Sequence, residues 1–398
     1  MIIDSNIATL ASLEPTALEL LKEPEVVIKV KFHVNLPSKG PMGIDAYLVY
    51  HCTVRGPPSK GGLRFSANVD LEDVIQLAEI MSYKCALMEL PFGGAKAGIR
   101  ADYNLPQLEK NMIVREFVHK VRNEFISGAY VAGPDLGTSP KEMATIFGET
   151  HIRESVTGKP IGIGGIPGRL QATGYGVAKI AGRAAEEILN KDINDVTVAI
   201  QGFGNVGFWT FKNLYEMGAK IVAVSDVQGG TYDPNGLNLD PLVEYNSQKK
   251  TVRGFNGSSI SNEELLSLDV DILIPAAVEN VITERNVSSV RARLIIEGAN
   301  APLSKEAHNI LYNRKVPVIP DILANAGGVV ASYEEWRTSK AGLLISEKET
   351  LDDVERTLIK AFEDVLSFAD THKTSLRNAA YALAARRIAD TMIARGWI

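Results

Sequence analysis

A short apolar run, Val196-Thr197-Val198-Ala199-Ile200, leads into Gly202-Phe203-Gly204-Asn205-Val206-Gly207, and a helix-patterned stretch follows to about Met217. Gly218 ends that stretch, and Ile221–Val224 begins a second apolar run that closes on Asp226. A short continuous apolar strand is the pattern of a parallel sheet buried on both faces. The three glycines leave the backbone bare at a helix N-terminus, where a pyrophosphate can rest on the N–H groups. A carboxylate at the end of the next strand can accept hydrogen bonds from an adenosine ribose. Glycine triplets arise by chance, and a plain βαβ turn is the bland alternative. The order strand, glycines, helix, strand and carboxylate favours a dinucleotide. Val270–Leu273, Leu294–Ile296 and Val316–Ile319 have the look of later strands of the same sheet. The alternation predicts an open, doubly wound α/β sheet of the Rossmann kind.

The upstream half has a different texture. From Val26 to Val34 the apolar residues fall at every second position, with Lys29, Lys31 and His33 between them. Ile44 to Val54 repeats the alternation, so both segments are expected as half-buried strands. Asp70 is placed to cap a helix whose apolar positions run Leu71, Val74, Ile75, Ala78, Met81, Cys85 and Met88. Two helical stretches, about 347–369 and 375–394, close the chain. The fold expected is an N-terminal α/β domain with a mixed sheet, then a Rossmann-like domain; the last helix is expected to pack back on the first domain, which the sequence pattern alone does not show. The boundary is set near Gly168. This gives a first domain of 1–168 joined by 372–398, and a second of 169–371.

The 398 residues suffice for two cores, and the net charge of -6 argues against a general nucleic-acid binder. No apolar run reaches the ~18–20 residues that cross a bilayer. The N-terminus lacks the pattern of a signal peptide. Cys52 and Cys85 are too few for a disulfide framework, and the six histidines show no metal-ligand spacing. A cytoplasmic protein without a protein-held metal, membrane or nucleic acid is the expectation.

Three lysines stand out between these extremes. Lys60 follows Pro57-Pro58-Ser59 and precedes Gly61-Gly62-Leu63-Arg64. Lys84 lies on the margin of the apolar helix stripe, and Lys96 follows Gly93-Gly94-Ala95. Lysines in such places suggest a cationic pocket for carboxylates or an amine tuned for chemistry. The bland reading of Lys60 is an exposed turn, that of Arg64 a structural ion pair, and that of Asp135 in Gly133-Pro134-Asp135-Leu136 a turn or cap. An ammonium beside an apolar stripe, as at Lys84, needs an anionic partner.

Lys60-Gly-Gly-Leu-Arg64, Gly93-Gly-Ala-Lys96, Pro134-Asp135, Ala172-Thr173-Gly174-Tyr175-Gly176, Gly202-Phe-Gly-Asn-Val-Gly207, Glu297-Gly-Ala-Asn300 and Asn325-Ala-Gly-Gly328 occur in this order. Together, from about Val26 to Trp397, they resemble the glutamate dehydrogenase family of amino-acid dehydrogenases. The resemblance implies that Lys96 is the catalytic lysine and Asp135 the proton-transfer carboxylate. It makes Lys84 the ligand of the substrate α-carboxylate, and Lys60 with Ser332 the ligands of the side-chain carboxylate. Gly133 and Val329 join them in the pocket. Arg169, Thr173, Gly202, Gly204, Asn205, Val206, Gly207, Asp226, Ala276, Asn300 and Asn325 are assigned to the dinucleotide.

The implied reaction is reversible oxidative deamination of L-glutamate to 2-oxoglutarate and ammonia, with closure around the bound pair. A homo-oligomer, a hexamer in the family, is implied as well. NAD is placed ahead of NADP, because Asp226 disfavours a 2′-phosphate and Val227-Gln228-Gly229-Gly230 supplies no cation. The chain departs from the family pattern with one extra residue before Lys60, Ser66-Ala67 after Phe65, Ala97, and Gly133 where alanine is common. Two alternatives remain: a dehydrogenase of leucine, valine or phenylalanine, and a non-catalytic regulatory subunit. Lys60 and Ser332 weigh against the first, and retained Lys96 and Asp135 against the second.

Overall fold

The computed structural model describes residues 2–398 as two compact units. The first comprises residues 2–169, Val329–Thr350 and Tyr381–Ile398, and the second Leu170–Gly328 and Leu351–Ala380. The segment Val329–Thr350 therefore belongs with the first unit, whereas the sequence boundary put it in the second domain. Its attachment has a physical cause. Glu335 meets Lys159 at 2.7 Å with both side chains fully buried, and Phe92 packs edge-on against Tyr333 and Trp336. The last helix also divides: Leu376–Ala380 lies in the second unit, and from Tyr381 onward it belongs to the first.

The first unit is built on a mixed six-stranded sheet. Val26–Leu36 and Gly40–Cys52 form an antiparallel pair, and Gly93–Ile99 continues antiparallel beside the second of them. Ser59–Lys60, Leu63–Phe65 and Tyr130–Val131 add parallel pairings around Gly93–Ile99. The helix Leu71–Leu87 starts on Asp70, whose carboxylate accepts from Asp73 N at 2.9 Å. Phe32, Leu48, Phe65, Ala95, Ala97, Phe117 and Phe125 lie in the core on the opposite side of the sheet from Lys96.

Gly93-Gly94-Ala95-Lys96 lies in a central strand of this sheet. Its glycines serve close approach: a Cβ on Gly94 would sit 2.1 Å from Ser82 Oγ and 2.3 Å from Ser82 N. A Cβ on Gly61 would sit 1.6 Å from Ala95 O. No side chain fits either place.

The second unit holds a seven-stranded sheet. From Lys220–Asp226 through Thr197–Gln201, Ile272–Pro275, Leu294–Ile296 and Val318–Ile319 the strands are parallel. Gly229–Tyr232 and Ser258–Ile260 extend one edge antiparallel. The chain runs outward from Thr197–Gln201, then returns to its other side at Ile272–Pro275. That reversal creates a crevice at the carboxyl ends of these two strands, the usual ligand position in open α/β sheets.

Candidate functional site

In the first unit, alternation along the strand sets Lys96 on the same face as Gly94, the face covered by the helix that carries Lys84. Lys96 Nζ lies 3.0 Å from Asp135 Oδ2, and Arg64 Nε reaches the same oxygen at 3.0 Å. Burial alone would push the Asp135 carboxyl up. The Lys96 and Arg64 charges outweigh it and hold the group below the usual carboxylate range. Lys84 is buried on its helix.

Lys60 is 4% exposed. Burial, reinforced by the Arg169 charge and then by Lys96, lowers its ammonium to about 7, against weaker opposition from Cys85 and Glu335. Gly133 lies directly over it, since a Cβ there would come 2.5 Å from Lys60 Nζ and 3.3 Å from Thr157 Oγ1. An alanine at this position would press on the ammonium. The glycine therefore gives Lys60 its room.

Ser332, 2% exposed, accepts from Arg169 Nε at 3.1 Å. The resemblance assigns Arg169 to the dinucleotide. Here its side chain joins Ser332, and its charge falls beside Lys60. Nothing in the spacing of Arg169 signalled this. Val329 lies one helical turn before Ser332, on the helix Gly327–Ala341. The same helix carries Glu335, which accepts from Gly158 N at 2.8 Å and Lys159 N at 3.2 Å as well as from the Lys159 ammonium. The loop that delivers Arg169 is thereby tied to the helix that delivers Ser332. This pairing was invisible in the sequence.

In the second unit, Gly202 has φ +101°, and a Cβ on it would sit 2.9 Å from Ala276. A Cβ on Gly207 would sit 1.9 Å from Gly202 O, whereas Gly204 faces open space. Two glycines thus close the turn and the third bares it. Gly204 also caps the helix Asn205–Glu216 without a side-chain bond to its first N–H groups. Asn205 and Val206 begin that helix, and Asn205 Nδ2 donates to Leu170 O at 2.9 Å. Thr173 sits in the first turn of Ala172–Glu187. A Cβ on Gly174 of that helix would sit 2.6 Å from Val206 O, so the two helices pack closely.

Asn325 Nδ2 donates to Asn300 Oδ1 at 2.9 Å and to Ala299 O at 3.1 Å. Gly202, Ala276, Asn300 and Asn325 thus gather at the strand ends beside the sheet reversal. Glu297, fully buried, receives Asp321 N at 2.7 Å and His308 Nε2 at 2.7 Å, which anchors the strand before Asn300.

Asp226 is held by the backbone through both carboxylate oxygens. Gln228 N and Val252 N each donate to one of its oxygens at 2.7 Å. The contact with Val252 brings Arg253 against Gly229, where its Cδ and Nε lie 3.3 and 3.6 Å from a Cβ built there. The turn after Asp226 therefore has a cation beside it, supplied by a loop remote in sequence. The residues fit a dinucleotide: a bare glycine at a helix start that no side chain caps, and a carboxylate on the next strand.

Comparison with known proteins agrees with both halves. Residues 164–396 match Glutamate/Leucine/Phenylalanine/Valine dehydrogenase, and residues 24–152 match the Glu/Leu/Phe/Val dehydrogenase dimerisation domain. The chain is 42% identical to the NADP-specific glutamate dehydrogenase of Saccharolobus shibatae, over 98% of this chain and 94% of the relative. It is 37% identical to a cryptic catabolic NAD-specific glutamate dehydrogenase of Bacillus subtilis, over 96% and 91%. A hetero-hexameric glutamate dehydrogenase from Thermus thermophilus, in a leucine-bound form, superposes with TM-score 0.92 at 29% identity, covering 98% of this chain and 94% of that one. From these matches and this architecture, the chain belongs to the glutamate/leucine/phenylalanine/valine dehydrogenase family of amino-acid dehydrogenases.

Proposed function

We propose that the chain is an NAD(P)-dependent glutamate dehydrogenase, oxidising L-glutamate to 2-oxoglutarate and ammonia in a reversible reaction. One observation carries the choice of substrate: the Arg169 guanidinium donates to the Ser332 hydroxyl at 3.1 Å, and its charge acts on the buried Lys60 amine. The nearby Glu335 carboxylate is already neutralised by Lys159. A second substrate carboxylate would compensate that charge. A leucine, valine or phenylalanine side chain would leave it desolvated and unpaired, which is costly.

In this reading Lys84 holds the α-carboxylate, and Lys60, Arg169 and Ser332 hold the side-chain carboxylate, with Gly133 and Val329 shaping the pocket. Asp135 accepts a proton from the α-amino group. NAD(P)⁺, held by Gly202, Gly204, Gly207, the start of the helix at Asn205-Val206, Asp226, Thr173, Ala276, Asn300 and Asn325, supplies the hydride acceptor for Cα. Lys96 polarises the developing carbonyl and orients the water that adds to the substrate iminium. Asp135 returns its proton as ammonia departs. The balance is glutamate, water and oxidised coenzyme to 2-oxoglutarate, ammonium, reduced coenzyme and one proton.

The domain arrangement proposed is substrate binding on the first unit and dinucleotide binding on the second. A hexamer is the assembly proposed, on the dimerisation-domain match and the hexameric form of the Thermus neighbour; that neighbour is a hetero-hexamer, so it bears on the number of subunits and not on their identity. A cytoplasmic site is supported by Cys52 and Cys85, both buried as free thiols. Initial rates of the purified chain with NAD and NADP, on glutamate, leucine and phenylalanine, test the assignment. Glutamate should be preferred by kcat/KM. Faster turnover of leucine would overturn the substrate, and no turnover on any of them would favour a regulatory subunit.

A further inference from the structure

Arg64 belongs to the Lys-Gly-Gly-Leu-Arg motif, yet the reaction just described gives it no task. Its strand, Leu63–Phe65, brackets Asp135. Leu63 N donates to Gly133 O and Phe65 N to Leu136 O, each at 2.8 Å. Thr138 Oγ1 ties the same two segments, accepting from Asp135 N at 2.8 Å and donating to Leu63 O at 2.9 Å. The residue between Leu63 and Phe65 is thereby fixed opposite Asp135. Gly62 keeps the approach open, because a Cβ there would sit 2.9 Å from Asp135 Cβ.

We propose that Arg64 is a positioning residue for Asp135: its guanidinium pins the carboxylate oxygen that Lys96 also contacts, leaving the other oxygen to exchange protons with the substrate amine. The inference rests on the assignment of Asp135 as the proton carrier. Lys96 cannot do the pinning alone, because its amine must turn to the substrate carbonyl and to water during the reaction. A guanidinium keeps its charge at every working pH and holds its geometry. Arg64 therefore keeps Asp135 in place and anionic while Lys96 changes partners.

The groups that face Asp135 are Lys96 from Gly93–Ile99, Arg64 from Leu63–Phe65 and Tyr130 from Tyr130–Val131. Tyr130 is neutral, its hydroxyl donating to Gly61 O at 2.9 Å, and burial pushes its ionisation far above the ordinary value. The two cations thus set the carboxylate, and one of them is Arg64. Removing that charge raises the pH at which Asp135 gains its proton.

The test is the pH profile of kcat/KM for glutamate in the full-length enzyme, for wild type, Arg64→Gln, Arg64→Met, Arg64→Lys and Asp135→Asn. Thermal stability and coenzyme binding by fluorescence establish that each variant is folded. The neutral variants should lose at least about tenfold in kcat, and their acid limb should move up by about one pH unit or more, the scale of a lost opposite charge. Arg64→Lys keeps the cation and should shift the limb by less than half as much, so it carries the test if the neutral variants do not fold. An equal shift in Arg64→Lys would overturn the role of the charge. Folded neutral variants with an unmoved limb would overturn the proposal while leaving the reaction intact. An Asp135→Asn variant with wild-type kcat would instead overturn the assignment of Asp135 itself.

Discussion

Lys60 is the residue whose environment most directly links charge to selectivity. Its ammonium is lowered to about 7, so the free enzyme holds it charged below that pH and loses the charge as pH rises through it. Glutamate affinity should follow. KM for glutamate is expected to rise above about pH 7, while KM for norvaline, which lacks the second carboxylate, stays level. In Lys60→Leu the two substrates should respond alike, and glutamate should lose at least about tenfold in kcat/KM, the scale of one charge-assisted bond. Parallel pH profiles for both substrates in the wild type would show that Lys60 does not sense the side chain. Lys96 is a separate matter. Lys96→Ala should lower kcat by more than about 10²-fold, as for loss of a general acid–base group. The variant should bind coenzyme as wild type does, measured by fluorescence titration. Retention of more than a tenth of kcat would remove Lys96 from the chemistry.

Between elements, the decisive contacts are those that join segments far apart in the chain. The Lys159–Glu335 pair is fully buried and also engages Gly158 N and Val156 O. Removing one partner leaves the other buried without compensation, at a cost of about 3–5 kcal/mol. Glu335→Leu should therefore lower the thermal midpoint by several degrees, and the double variant Glu335→Leu with Lys159→Met should recover part of the loss. A single variant as stable as wild type would show that water reaches the pair. At the coenzyme turn, Asp226→Ser should raise NADP use relative to NAD, and Arg253→Ala in that background should reverse the gain, because Arg253 is the cation beside Gly229. Unchanged coenzyme ratios across initial-rate assays would remove both residues from ribose recognition.

These cases also mark how far the sequence could be read. The dinucleotide turn was legible because a continuous apolar strand, glycines and a helix are local patterns. The helix Leu71–Leu87 was legible from its cap and spacing. The strand Gly93–Ile99 was not, since glycine and alanine carry little hydrophobic period, and its glycines are there for what packs against them. Arg253 and Glu335 were hidden for another reason: their partners are brought close only by tertiary structure.

At the scale of the whole molecule, the first unit is assembled from three stretches of chain and the second from two. The C-terminal stretch supplies fully buried Ala382, Ala385 and Met392, and Arg386 donates to Leu10 O at 3.0 Å and Ala11 O at 3.2 Å. A chain ending at Ala380 should therefore lose the cooperative unfolding of its first unit, and limited proteolysis should cut within residues 2–169. A truncated chain with the full-length thermal transition would show that this helix is dispensable. The same interleaving imposes a delay during synthesis. Lys159 leaves the ribosome 176 residues before Glu335. At roughly 5–20 residues per second, about 9–35 s pass before its counter-charge exists. Through that interval an unpaired ammonium opposes closure of the core around it. The nascent first unit is therefore expected to stay open, with apolar faces uncovered and within reach of chaperones, until Glu335 has been made.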